Sequence, residues 1–143
     1  AAEEATGETA AATEDAAAAT EEAAAPAEEA VSESAFAALV AAADPAAGQR
    51  VYRQCQACHV PDAEQNRVGP HMVGVVGREI GGVEGFRYSN VLAEMGGVWD
   101  YDNLNAWLED PKAFAPGNKM SFRGLSDEED RAAVIAYIES VQP

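Results

Sequence analysis

Residues 55 to 59 read Cys55-Gln56-Ala57-Cys58-His59, "CQACH". The 143-residue chain has two cysteines and two histidines, and both cysteines and one histidine fall inside these five positions. On a helix, Cys55 and Cys58 lie three residues apart and His59 four from Cys55, so all three project from one face. Three chemistries compete for such a cluster. C-x-x-C-H is the spacing of covalent haem attachment: two thiols bond the porphyrin edge and the adjacent imidazole reaches the iron from the same side. A zinc site completed by His71 fails on geometry, because neighbouring Cys58 and His59 would have to meet one tetrahedral ion, and no second C-x-x-C exists. A structural or redox disulfide is the third reading, although a thioredoxin-like motif needs a βαβ context that this sequence lacks.

The composition around the pentapeptide is uneven. Residues 1–47 hold eleven acids, no bases and mostly alanine. Such a stretch buries too little apolar surface to offset chain entropy, so it reads as a disordered acidic tail or linker. Residues 48–143 hold fourteen acids against nine bases, a net −5 of the total −16, and nearly all the aromatics. A domain of ~95 residues has a small core that is marginal without a staple or cofactor. The negative charge argues against nucleic acid and against direct binding to anionic lipid. The longest small-apolar run, "AFAALVAAA" at 35–43, is far short of the ~20 residues that span a bilayer. With no charged segment before it, that run is not a signal peptide either. A rival reading makes "EEAVSESAFAALVAAA" a helix docked on the domain through Phe36, Leu39 and Val40.

Turn and cap signals predict four helices. Asp44-Pro45 starts the first, which runs toward Cys58. Residues 60–88, rich in glycine and without sustained periodicity, read as loop. Ser89 caps a short helix over "NVLAEM", closed by Gly96-Gly97. Asp100 caps "YDNLNAWLED", which stops before Pro111. "PKAFAPGNKMSFRG" reads as irregular. Ser126 begins the last helix with a capping box to Glu129, and Val134, Ile135, Ile138 and Val141 share one side. The fold class is all-α, four short helices and long loops, and so much loop in so small a domain suggests that a cofactor fills the middle.

Gly48-x-x-x-Tyr52, CQACH, "GPHMVGVVGR", "GFRYSN", "VWDYDNLNAWLEDP", "PGNKMSF" and "DRAAVIAYI" occur in this order. In order and spacing the chain resembles class I cytochrome c of the mitochondrial and bacterial c2-like group, from Ala46 to about Val141. The acidic tail is similar to the linker of bacterial membrane-anchored cytochromes c, whose anchor would lie outside this chain. The resemblance implies one covalent haem c on Cys55 and Cys58, with His59 as the proximal iron ligand and the Pro70 carbonyl accepting its other ring proton. Candidates for the distal ligand are Met72, Met95, Met120 and His71; the family's axial methionine falls in "PGNKMSF", which selects Met120. A soft thioether favours ferrous iron. Arg78, Tyr88 and Trp99 match positions that serve the haem propionates. Phe122 and Leu108 would wall the pocket, and Tyr52 and Tyr137 match a contact between the first and last helices. Two positions depart from the family: His71 stands where asparagine is usual, and Trp107 where a tyrosine often lies near the methionine sulfur.

With both axial positions filled by protein, no site remains for substrate, which suits single-electron transfer and not catalysis. The resemblance implies a periplasmic, monomeric carrier between a cytochrome bc1-type complex and a terminal oxidase or other acceptor. The alternative is an electron-transfer subunit dedicated to a periplasmic dehydrogenase; a haem enzyme or gas sensor would need a vacant distal site. Arg53, Lys112, Lys119 and Arg123 fall near the attachment motif or the methionine loop and form the expected docking face at the haem edge, against the bland reading of scattered surface charge.

Overall fold

Asp44 and Pro45 start a helix as expected. The Asp44 carboxylate accepts the Ala46 N–H at 3.0 Å, and Pro45 sits in the first turn, where its missing N–H costs nothing. In the computed structural model, which describes residues 34–143, this is the second of six helices. In order they are α1 Ala35–Ala42, α2 Pro45–Tyr52, α3 Asn90–Ala93, α4 Tyr101–Glu109, α5 Pro111–Phe114 and α6 Glu128–Ser140. Among the described residues there is no strand; two isolated bridges, His59 with Asn66 and Glu79 with Val98, tie loop to loop. No helix among them is long and apolar enough to cross a membrane.

The centre of the fold is the crossing of α2 and α6. At Gly48 the two backbones approach so closely that a Cβ there would overlap the Ala133 carbonyl and crowd Tyr137. One turn on, the rings of Tyr52 and Tyr137 meet with centroids 5.4 Å apart. Helix α6 buries Ala132, Ala133, Val134, Ile135, Ala136 and Ile138, more of its circumference than the one side expected, because α1, α2 and α4 all pack on it. It also buries Arg131, 5 % exposed. That guanidinium donates from Nε to Asn105 Oδ1 at 2.6 Å and from Nη1 to the Leu125 carbonyl at 2.7 Å, as a buried charge must. Trp99 fills the remaining core, stacked on Phe114 at 5.7 Å and tilted against Trp107 at 5.5 Å.

Three expectations are corrected. The first concerns the tail. Residues 1–33 lie outside the described residues, but 34–47 do not continue an unstructured linker. Ser34 caps α1 by accepting the Ala37 N–H at 2.9 Å, and Phe36 and Val40, one helical turn apart, are each 4 % exposed against α4 and α6. Two large side chains at that spacing suffice to dock a short alanine-rich helix. Leu39, the third residue of the docking reading, is 39 % exposed and stays outside. Phe36→Ala is therefore expected to lower stability by about 3 kcal/mol, roughly 12–24 °C in Tm for a domain of this size, whereas Leu39→Ala should change it by no more than ~0.5 kcal/mol. Thermal melts of the two variants check this; equal melting points would mean that α1 does not dock.

The second correction is that α2 stops at Tyr52 and does not run to Cys58. Arg53, Gln54 and Cys55 each donate to a carbonyl three residues back, a tightening typical of a helix end. The pentapeptide therefore lies on successive turns, with the His59 N–H returning to the Cys55 carbonyl at 2.9 Å. The third is the start of α6. Asp127, not Ser126, is the cap, accepting the Glu129 N–H at 2.9 Å, because a carboxylate outdoes a hydroxyl where N–H dipoles converge. In addition, α5 forms inside a stretch read as irregular: Asp110 accepts the Ala113 N–H at 3.2 Å and Pro111 opens the turn.

Candidate functional site

The geometry of the site begins at the His59 ring. Its Nδ1 lies 2.8 Å from the Pro70 carbonyl oxygen. A carbonyl only accepts, so Nδ1 carries the proton and Nε2 keeps its lone pair for a metal. Burial, helped by the Arg78 charge and opposed by the Pro70 bond, holds the imidazole pKa below its ordinary value. The ring is thus neutral near pH 7, the form that ligates. Gly69 presses on it so closely that any Cβ at that position would overlap the ring. Tyr52 donates its hydroxyl to the His59 carbonyl at 2.7 Å, and burial pushes that phenol well above its usual range.

Cys55 and Cys58 precede the ring as free thiols, the state that thioether attachment consumes. Cys55 packs against the core, and burial, followed by the neighbouring Cys58, pushes its thiol up to about 11.

Arg78 is held by two backbone carbonyls, His71 at 2.8 Å and Val73 at 3.0 Å, both through Nη1. Its Nε is buried with no partner among the described residues. A buried guanidinium nitrogen left unpaired is costly, and a propionate oxygen of a haem is a group that would complete it. Trp99 is joined to the same segment: its N–H donates to the Arg78 carbonyl and its carbonyl accepts the Gly77 N–H, each at 2.8 Å. Tyr88 accepts the Val83 N–H at 3.0 Å, which leaves its own hydroxyl proton free to donate. Arg78 and His71 also line an open cavity of about 280 Å³ with Glu64, Asn66 and Glu84.

Met120 lies on the loop after α5, half-buried. Its N–H donates to Asn118 Oδ1 at 2.8 Å, while the Asn118 amide donates to the Pro111 and Ala115 carbonyls at 3.0 and 2.9 Å. One side chain thus ties the methionine backbone to α5. Met72 and Met95, by contrast, pack with Trp107, Leu108 and Phe122 against the apolar cluster. Arg53, Lys112, Lys119 and Arg123 are all exposed. The sequence reading missed Gly69 and Asn118. Gly69 opens the quoted "GPHMVGVVGR" and Asn118 lies in "PGNKMSF", but only the fold reveals a glycine against a ring or an amide bridging three backbone groups.

The residues present fit a covalently held haem: two free thiols, a neutral imidazole with its proton directed to Pro70, a buried guanidinium whose Nε has no partner among the described residues, and aromatic walls. The sequence profile of the family described as Cytochrome c matches residues 45–142, so α1 lies before the match. Cytochrome c-554 of Methylosinus trichosporium is 44 % identical over 100 residues, spanning 69 % of this chain and 76 % of that protein. Cytochrome c2 iso-2 of Magnetospirillum fulvum is 47 % identical over 90 residues, 63 % of this chain and 94 % of that one. Among solved structures, cytochrome cH from Methylobacterium extorquens superposes with a TM-score of 0.63 at 43 % identity, covering 68 % of this chain and 98 % of its own.

Proposed function

The chain belongs to the cytochrome c family, and on that premise we propose that it is a periplasmic single-electron carrier with His59 and Met120 as the axial ligands of its haem. Membership makes it a haem electron carrier and not an enzyme, with haem c attached through Cys55 and Cys58. When bound, the haem iron supplies a one-electron couple. What the chain adds is the electronic and steric setting. The observation that carries the reading is the His59–Pro70 bond at 2.8 Å: it fixes the tautomer and makes the imidazole a stronger donor. Met120, aimed by Asn118, offers a soft sulfur that offsets that donation and favours the reduced state. Arg78 Nε and the Tyr88 hydroxyl stand ready for carboxylates, and Trp99, Trp107 and Phe122 exclude water. Nothing in this set moves a proton or attacks a substrate.

The donor in this reading is a cytochrome bc1-type complex and the acceptor a terminal oxidase or other redox partner. Both approach the exposed side chains Arg53, Lys112, Lys119 and Arg123. In this reading the four cations, on a chain of net charge −16, form a dipole that steers encounter without strong binding. Reversing Lys119 and Arg123 together to glutamate should slow transfer to the partner about tenfold at low salt and flatten its salt dependence. The haem spectrum should not change. Stopped-flow kinetics across a salt series test this; identical rates at low salt would assign these cations to ordinary solvated surface.

A further inference from the structure

Gln142, two residues past α6, reaches four backbone groups with one side chain. Its Nε2, with two N–H groups, lies within reach of three carbonyls, Ile138 at 2.9 Å, Pro61 at 3.1 Å and Met72 at 3.3 Å, so one proton is shared between two of them. Its Oε1 accepts the Gly74 N–H at 2.7 Å. Three of these partners lie 68 to 81 residues away in sequence. They fall at the two ends of one loop, which the Met72 N–H to Val60 carbonyl bond also closes at 2.9 Å. Inside that loop sit Gly69, against the His59 ring, and Pro70, whose carbonyl holds Nδ1. The segment after Pro70 is gripped alternately. Arg78 takes the carbonyls of residues 71 and 73, and Gln142 takes the carbonyl of 72 and the N–H of 74.

We propose that Gln142 is a positioning residue for the proximal histidine: by holding Met72 and Gly74 it fixes where the Pro70 carbonyl stands, and so the strength of its bond to His59. The idea rests on His59 being the iron's nitrogen ligand. Arg78 and the Met72–Val60 and His71–Asn66 bonds hold part of the segment, Gln142 ties the rest of it to α6, and losing that tie lets residues 70–74 shift against the ring. A weaker Pro70 bond leaves the imidazole a poorer donor to ferric iron, so the reduction potential moves upward.

The test uses the haem-bearing protein and three readouts: exchange of the His59 ring N–H proton by NMR in the ferrous state, reduction potential, and thermal stability. Gln142→Met, similar in length and without polar donors, should speed ring-proton exchange about tenfold, the equilibrium equivalent of one ordinary hydrogen bond, and raise the potential. Gln142→Glu keeps the Gly74 bond and loses the donors, so it should shift both readouts in the same direction by less. Tyr101→Phe is the control. It removes the 2.8 Å bond from α4 to Glu139 without touching the loop, so it should lower stability and leave exchange and potential alone. Wild-type exchange and potential in Gln142→Met, whatever its stability, would overturn the proposal; if that variant yields no holoprotein, Gln142→Glu is read by the same criterion. The underlying reading of His59 fails separately, through a wild-type spectrum without imidazole on iron.

Discussion

Met120→Ala should drop the reduction potential by tenths of a volt, a sizeable part of the ~0.8 V that axial ligands span, and open the iron to carbon monoxide. The thioether stabilises ferrous iron, so its loss favours the ferric state, and the sign of the shift is downward. The loop itself should survive, because Asn118 bonds the backbone of residue 120 and not its side chain. Met72→Leu and Met95→Leu are the informative partners. Both side chains pack against the apolar cluster, and a volume-conserving swap there costs less than about 1.5 kcal/mol, with no change in ligation. Potentiometry and carbon monoxide titration of the three variants decide between them. If Met72→Leu abolishes the methionine–iron absorption band while Met120→Ala retains it, the distal ligand has been assigned to the wrong residue.

Gly48→Ala sets two effects of known sign against each other. Helix propensity favours alanine over glycine by about 1 kcal/mol. Against this, the new Cβ would collide with the Ala133 carbonyl, a backbone atom that can yield only if α2 and α6 separate. Overpacking of this kind costs roughly 1–3 kcal/mol and sometimes more, and separation would also uncover Tyr52 and Tyr137. The collision should win, for a net loss of about 2 kcal/mol and a fall in Tm of roughly 8–16 °C. Ala47→Gly, one position earlier, loses propensity alone and should cost about 1 kcal/mol. Calorimetry on both variants separates the terms; a stabilised Gly48→Ala protein would show that the helices do not cross as closely as described.

How far the sequence reveals these features depends on how local each one is. The Asp44-Pro45 start and the Asp100 cap are contiguous signals, and their helices began where expected, although α2 ended before CQACH and did not carry it. Helix α1 was harder to read. Its alanines carry no periodicity of their own, and Phe36 and Val40 become a docking face only once α4 and α6 supply the other side. At the start of α6, Ser126 and Asp127 are adjacent good caps, and propensity alone does not rank neighbours one residue apart. Gly69, Asn118 and Gln142 were invisible for a different reason. Their partners are backbone groups, which every residue has, so no residue type flags them. Arg131 lies on a helix that opens with three acids, and nothing local marks it as buried; its partners Asn105 and Leu125 come from elsewhere in the chain.

The half-buried thiol of Cys55 has a consequence for the order of events in biogenesis. Thioether formation needs sulfur as the thiolate, and in the folded chain burial and Cys58 push the Cys55 thiol up to about 11. At neutral pH such a group is thiolate only about once in 10⁴ molecules, compared with a few per cent for an unperturbed cysteine. A chain that closed first would therefore have suppressed the reactivity it needs to be completed. The thiols react more readily while residues 55–58 are open to solvent, which favours ligation ahead of folding around the fastened group.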